Sequence, residues 1–467
     1  AADQNQSAST SQVSTTVDEP LKNEIKTALR KAAGFYREKV ASHGGYVYHY
    51  SVDLSQRWGE GVASKDQIWV QPPGTPTVGM AYLKAYAASG DRYYLDAATD
   101  AAEALVYGQI STGGWTNCID FNPRGNKVAQ YRNGKGRGRT TSSLDDGQTQ
   151  SAIRFLVLTD EALQFKNKKI RESVKIAFDA LLAAQFPNGG FPQIWDGTKV
   201  PDPPVLKANY PKYDWRTEGR IKEYWHMYTL NDNVTGYVTQ TLLEAYRVYK
   251  DDRYLTATKR LGDFLILAQM PDPQPGWAQQ YNYDMQPIWA RKFEPPGISG
   301  DETQETIETL MTISEATGDK KYLAPIPAAL AWLKRSLLPD GRLARYYELQ
   351  TNKPLYMFRN GDVYKLTYDD SNLPGHYGWK WDSRIEELET KYKQRLAADK
   401  VEAEAAISEQ EVREILSSLD AEGRWISKFG NQPLVGALKL PPGTPYLSSE
   451  VFSRNVTLLS EFLESTR

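Results

Sequence analysis

Four stretches of this 467-residue chain gather side chains that a hydrophobic core does not need. The segment Ser143 to Gln150 (SLDDGQTQ) sets the adjacent carboxylates of Asp145 and Asp146 at the opening of an apolar-periodic helix. A second, Trp225 to Asn233 (WHMYTLNDN), puts Asp232 at the start of another. Oxygen-only groups of this kind suit a hard cation such as calcium, although either acidic start can be read simply as a helix cap. The third stretch, Gly276 to Glu302, packs Trp277, Gln280, Trp289, Arg291, Lys292, Glu294 and Pro295-Pro296 into one loop. Ser299 and Glu302 follow at capping-box spacing. Indole faces stack on sugar rings and arginine forks a carboxylate, so such a loop suits a ring-shaped anionic ligand. Its plainer reading is a plug of buried Trp at the end of a helical array. In the fourth stretch, Ala344 to Asp362, Arg345 and Arg359 flank a Tyr-rich, strand-like turn, and a surface salt bridge is the alternative for either one.

The elements that must hold these groups are helical. Apolar residues recur at helical spacing from Leu21 to Val40, from Thr77 to Ser89 and from Leu95 to Gly108. A turn grammar then repeats: a Gly turn followed by an aromatic or apolar residue occurs in HGGY (43–46), QISTGGW (109–115), QFPNGGF (185–191), QMPDPQPGW (269–277), LPDGRL (338–343) and LDAEGRW (419–425). Between them lie short turns of a second kind, SGDRYYL (89–95), KDDRYL (250–255) and TGDKKYL (317–323). In each, Gly or Asp can end one helix in the left-handed conformation and Asp can start the next. Stacked hairpins with short turns at one end and long loops at the other predict an all-α, α/α-toroid-like array whose site lies on the long-loop face. A few short strands are expected in the loops, notably at Tyr46 to Val52 and Leu343 to Leu349. The charged run from Asp382 to about Ser417 reads as a long helix or helix pair with a solvated face. Residues 1–18 read as a flexible leader and 19–467 as one catalytic domain.

Composition narrows the partners. Twelve Trp and 29 Tyr in a chain that is 24% charged place aromatic rings at the surface and lean toward carbohydrate. A net charge of -2 gives no general attraction to nucleic acid or anionic membrane, so cations must be concentrated locally to hold a polyanion. No apolar run of about 18 residues is present to span a bilayer. Cys118 is the sole cysteine and reads as a packed small residue. The start at Ala1-Ala2-Asp3, followed by a Ser/Thr/Gln run, reads as a secreted or periplasmic product after signal removal. With His43, His49, His226 and His376 only, and no GxSxG elbow, a Ser/His/Asp hydrolase is disfavoured. Phosphate-loop order and Cys/His zinc spacing are missing too.

Together, LDDGQTQ (144–150), HMYTLNDN (226–233), GWAQQYNYDMQPIWARKFEPPGISGDE (276–302) and ARYYELQTNKPLYMFRNGD (344–362) resemble family 10 polysaccharide lyases, pectate lyases of all-α toroid-like fold, over roughly residues 140 to 380. The resemblance implies calcium-assisted β-elimination on polygalacturonate with an arginine base. It puts the base at Arg359, the carboxylate-holding arginines at Arg291 and Arg345, and the calcium or substrate ligands at Asp145, Asp146 and Asp232. Trp277, Gln280 and Lys292 complete the expected substrate-binding set. The chain departs from the family in three places. Leu144-Asp145-Asp146-Gly147-Gln148-Thr149 stands for the usual Leu-Asp-Asn-Gly-Ala-Thr, Asn231-Asp232-Asn233-Val234 for Asn-Asp-Asp-Ala, and Tyr281 for a common His. One carboxylate is thereby moved from one helix start to the other. Segments 124–141 and 201–222 read as additional loops able to reshape the cleft.

The chemistry is consistent with that reading. A uronate C5 proton is hard to remove while the adjacent carboxylate is anionic, and a divalent cation with one or two arginines neutralises it. Arginine serves as a base only where its neutral fraction is raised, by a cationic site, by desolvation or by alkaline pH. A toroid glycoside hydrolase using Asp145 and Asp232 as acid and base, and a non-catalytic polyuronate-binding protein, are the alternatives. A monomer is expected.

Overall fold

A computed structural model describes residues 18–218, 222–397 and 404–467; the expected leader lies, but for Asp18, outside them. The helices are α1 (Glu19–Phe35), α2 (Thr75–Ser89), α3 (Arg92–Tyr107), α4 (Gln148–Ala162), α5 (Lys168–Ala184), α6 (Trp215–Glu218), α7 (Val234–Tyr249), α8 (Asp252–Ala268), α9 (Gly300–Thr317), α10 (Ile326–Arg335), α11 (Ile385–Leu396), α12 (Glu409–Ser418) and α13 (Ser449–Ser465). An inner row packs in the order α13, α2, α4, α7, α9, and each member is backed by an outer helix: α1, α3, α5, α8 and α10. Among the described residues the end helices α9 and α13 do not pack together as their neighbours do, so the toroid-like array is an open arc. The fold is all-α in class, as the periodicity predicts.

Both turn types behave as local chemistry requires. At the short turns, Asp91, Asp251 and Asp319 accept from the backbone N–H two residues on and start the next helix. Gly90 and Gly318 end the preceding helices with φ of 70° and 69°, but at the third turn Lys250 takes that role with φ 56°, against the expectation of Gly or Asp. At three of the six long turns a glutamine closes the loop and ties it to the next hairpin. The Gln109 amide donates to Gly113 O (2.8 Å) and Ser173 O (3.0 Å). Gln185 does the same with Gly189 O and Ala257 O, and Gln269 with Pro275 O and Pro325 O. The aromatic after each turn points inward: the indoles of Trp115 and Trp277 donate to Leu105 O and Leu265 O, both at 2.8 Å. A threonine in the first turn of the next inner helix then accepts the aromatic residue's own N–H, Thr75 from Tyr46, Thr149 from Trp115 and Thr303 from Trp277. Each hairpin thus hands a satisfied backbone to its successor.

The long loops carry more sheet than expected. Two five-stranded antiparallel sheets form among them, because neighbouring loops pair to satisfy backbone groups that no helix covers. One joins Ile426–Lys428, Pro445–Ser448, His49–Ser51, Arg57–Gly59 and Gly61–Val62, fastening the two ends of the chain. The other runs Val363–Thr367, Pro354–Asn360, Tyr346–Glu348, Gly297–Ser299 and Trp277–Ala278, and it brings the two arginine-bearing stretches side by side. The charged run resolves into the pair α11 and α12, with residues 398–403 between them outside the described set.

Candidate active site

The acidic wall is built by two matching turns. Asp145–Gly147 and Asn231–Asn233 each form one 3-10 turn ahead of an inner helix, and the turns pack against one another. In both the third residue of the motif is left-handed, Asp146 at φ 46° and Asp232 at φ 51°, followed by Gly147 at 69° and Asn233 at 56°. Two successive left-handed residues turn the backbone so sharply that the carboxylates face each other across the helix starts. Asp145, Asp146 and Asp232 each offer an oxygen, and these atoms lie within 4.8 Å of one another. Burial, reinforced by the Asp146 and Asp232 charges, pushes Asp145 well above the usual carboxylate range. Burial, then Asp232 and Glu60, pushes Asp146 up to about 7. Asp232 is raised by burial against the pull of Arg345. Three crowded carboxylates that favour protonation when bare form an all-oxygen donor set. Oxygens on one calcium at about 2.3–2.6 Å are at most about 5.2 Å apart, so the cluster fits that ion.

The facing wall is cationic and unequal in rigidity. Arg345 is buried, 6% exposed, with its guanidinium 4.0 Å from the Tyr377 ring centroid. It donates to Asn231 Oδ1 and Gly378 O at 3.3 Å and lies 3.8 Å from Asp232, while its Nε is buried without a partner. Burial opposes the charge on Arg345, but Tyr346, Tyr377, Glu302 and Asp232 outweigh it and hold the proton. Arg291 is latched by Glu294, Nε to Oε1 at 2.5 Å, and Glu294 is itself 2% exposed and also accepts from Tyr377. Burial again opposes the charge on Arg291 and the Glu294 contacts outweigh it. The Arg291 charge reaches all three aspartates. Arg359 stands in the exposed last part of the Pro354–Asn360 strand, donating to Gly361 O at 2.9 Å beneath the Tyr364 ring, with no carboxylate partner among the described residues. Its field, with that of Arg291, lowers His376 after burial has done so. Lys292 is exposed beside them.

Two of the expected substrate contacts are corrected. Trp277 is fully buried with its indole spent on Leu265 O, and Gln280 is 2% exposed with its amide spent on Tyr224 O and Thr229 Oγ1. Helix α8 covers the first and the Tyr228–Thr229 strand the second, so neither presents a side chain to a ligand. Trp289 is likewise inside, donating to Trp215 O. Ser299 caps α9 through Glu302 N–H, but the Glu302 carboxylate turns to the Ser299 hydroxyl and the Gln279 amide, so the reciprocal half of the capping box is replaced. Tyr281, where the family commonly has His, bonds Ala268 O and Ala278 N and holds its strand.

Sequence reasoning also missed residues. Gln71 donates to Asp146 at 3.3 Å and Glu60 at 2.9 Å and accepts from Gln148, so it links the acidic turn to a distant loop. Tyr377 is the platform under Arg345, and the aromatic-rich string HYGWKW (376–381) was its only signal. The added loop at 201–218 is strapped to the arginine loop: Arg216 ion-pairs with Glu348, and Tyr213 donates to Pro287 O at 2.8 Å.

An α-helical arc with acidic and cationic walls facing across its loop face is the architecture of a polysaccharide lyase here. The sequence family described as pectic acid lyase matches residues 109–343, half of the chain, and this chain belongs to that family. Among solved structures, it is similar to a family 10 polysaccharide lyase from Cellvibrio cellulosa. A mutant of that enzyme in complex with trigalacturonic acid is 19% identical, covering 70% of this chain and 98% of that one, with a TM-score of 0.47. A second structure of the Cellvibrio enzyme is 21% identical over 67% and 94%, also at 0.47. Cellobiose 2-epimerase from Spirochaeta thermophila is 14% identical over 96% and 98%, at 0.48. No curated protein matches the sequence. Among the described residues no helix is long and apolar enough to cross a membrane.

Proposed function

We propose that the protein is a secreted, monomeric pectate lyase that cleaves polygalacturonate by calcium-assisted β-elimination, giving 4,5-unsaturated oligogalacturonates. The observation that carries this reading is the cluster of Asp145, Asp146 and Asp232 within 4.8 Å, faced by Arg291 and Arg345. Calcium held by the three aspartates would neutralise the uronate carboxylate and acidify C5–H. Arg345, fixed by Tyr377 and Asn231, holds a carboxylate of the chain in place. An arginine then takes the C5 proton onto a guanidine nitrogen. The C–H electron pair becomes the C4–C5 double bond, C4–O4 breaks, and O4 leaves with its electrons to be protonated.

Arg359 is the first reading for the base, because it alone of the three arginines has no carboxylate partner among the described residues. Arg291 is the second reading, favoured by one observation: its charge bears on all three aspartates, and nearness to the reacting groups is the stricter requirement on a base. Under that reading Glu294 must release or share the guanidinium when substrate binds.

The deciding experiment is ultraviolet absorbance of the unsaturated product from polygalacturonate, followed with calcium and with excess chelator. The lyase reading expects absorbance that grows with calcium and falls in chelator. Reducing ends without absorbance would transfer the site to a hydrolase using Asp145 and Asp232, and binding with neither signal would make it a polyuronate-binding protein.

A further inference from the structure

Where α2, α4 and α7 run side by side, a groove opens next to the acidic turn and takes no part in the chemistry above. It encloses about 250 Å³ between Pro72, Met80, Gln150, Arg154, Tyr237 and Gln240. At about 30 Å³ per water that is the space of roughly eight waters, enough for one pyranose ring. The groove is continuous with the aspartates. A β-carbon placed on Gly147, the residue after Asp146, would sit 3.3 Å from the Tyr237 ring.

Two features of the lining ask for an anionic sugar. Tyr237 is 40% exposed and offers a ring face at the end nearest the aspartates, and a pyranose presents C–H groups that suit such a face. Arg154 has a buried Nε with no hydrogen-bond partner, and no described carboxylate pairs with it. Its neighbours are treated differently: Arg171 is drawn to Asp160, and Arg247 is clamped by Glu161 and Glu244. The Oε1 of Gln150, a residue 1% exposed, is also buried without a donor. The Nε and the Gln150 oxygen are covered by protein, but the two terminal nitrogens of Arg154 lie open on the groove lining with no described partner, so a ligand that brings a carboxylate there supplies the missing counter-charge.

We propose that this groove is a further sugar subsite, which takes a neighbouring uronate of the same polymer with its ring on Tyr237 and its carboxylate on Arg154. The proposal rests on the polyuronate reading of the site and extends it to the polymer flanking the scissile bond. The cation at the subsite demands a free carboxylate there. A methyl-esterified residue at that position would be rejected even where the reacting uronate is free.

Equilibrium titration tests this without turnover. Wild type, Arg154→Gln and Tyr237→Ala are titrated in excess chelator with galacturonate hexamer and with its carboxyl-reduced, neutral counterpart. Loss of one charge-assisted hydrogen bond is expected to raise the hexamer Kd about tenfold or more in Arg154→Gln. The neutral hexamer should bind wild type and Arg154→Gln alike, Tyr237→Ala should weaken both ligands, and Arg154→Lys should recover part of the hexamer affinity. Equal hexamer Kd in wild type and Arg154→Gln overturns the subsite, as does the same loss on the neutral hexamer. The two variants lie on separate helices, α4 and α7, so a fold defect in one, seen by circular dichroism, leaves the other to decide. Failure of the lyase reading shows separately, as wild type that releases no unsaturated product.

Discussion

The two walls of the cleft are built by opposite strategies. Asp145, Asp146 and Asp232 are placed by backbone: paired left-handed residues at two helix starts, anchored on the inner row of the arc. The arginines are placed by side-chain partners, and their freedom grows from Arg345, buried between Tyr377 and Asp232, through Arg291, latched to Glu294, to Arg359 on an open hairpin. A rigid acidic wall crowds like charges at the cost of stability and so favours a cation. A graded cationic wall can hold substrate at one end and move a proton at the other. The departure of this chain from its family fits the same logic, since the carboxylate gained at Asp146 lies in the same cluster as Asp232.

The comparison breaks hardest at the base. Lysine at the proton-abstracting position keeps the charge but loses the guanidine, so Arg359→Lys should cut kcat about 100-fold or more with KM within a few fold. If Arg291 is the base, Arg291→Lys shows that pattern and Arg359→Lys does not. Either way the wild-type rate should climb toward alkaline pH, since a guanidinium gains its neutral fraction only there, and under the Arg291 reading Glu294 outweighs burial and holds that proton more firmly still. Flat kcat in both variants removes Arg359 and Arg291 from the role.

The acidic wall is tested by stability, free of turnover. Calcium at a hundred times its Kd should stabilise the wild type by about 2.7 kcal/mol. Asp145→Asn or Asp232→Asn should lose most of that gain, and thermal melting with and without calcium reads it. Asp146→Asn should in addition raise the melting temperature of the metal-free protein above pH 7, because it removes one of three crowded charges. No calcium response in the wild type dismisses the cluster as a metal site.

Smaller effects sharpen the grading of the cationic wall. Glu294→Gln frees Arg291 from its charged partner; Glu294 is buried but the Arg291 side chain is 47% exposed, so solvent screening keeps the cost to about 1–1.5 kcal/mol. The expected readout is a KM for polygalacturonate raised about five- to tenfold. Lys292, fully at the rim, is worth about 0.2–1 kcal/mol as an exposed charge. Lys292→Ala should therefore raise KM no more than about fivefold, and the effect should fade in high salt. A loss at Lys292 equal to that at Glu294 would contradict the order of rigidity.

The sequence by itself determined whatever depends on neighbours along the chain. Helical spacing placed α2 and α3 within three residues, and α1 as well once the π-helical turn Tyr36–Val40 that continues it is counted. Asp91, Asp251 and Asp319 announced their helix starts because a cap is a local hydrogen bond. The acidic turns were legible for the same reason, since left-handed pairs before α4 and α7 need only the residues between Leu144 and Gly147 and between Leu230 and Asn233. Tertiary structure alone decided which of the aromatic and polar side chains face the ligand. Trp277 and Gln280 read as ligand contacts in their own segment, yet the helix carrying Leu265 and the strand carrying Thr229 draw them inside. Arg291, Arg345 and Arg359 look alike in sequence, and only Glu294, Tyr377 and the open hairpin make them differ. The reach of Gln71 to Asp146, and the unpaired Arg154 beside Tyr237, depend on segments 75 and 83 residues apart meeting across the arc. Burial and charge pairing are set by whatever the fold brings to a side chain, and local sequence carries no record of those distant partners.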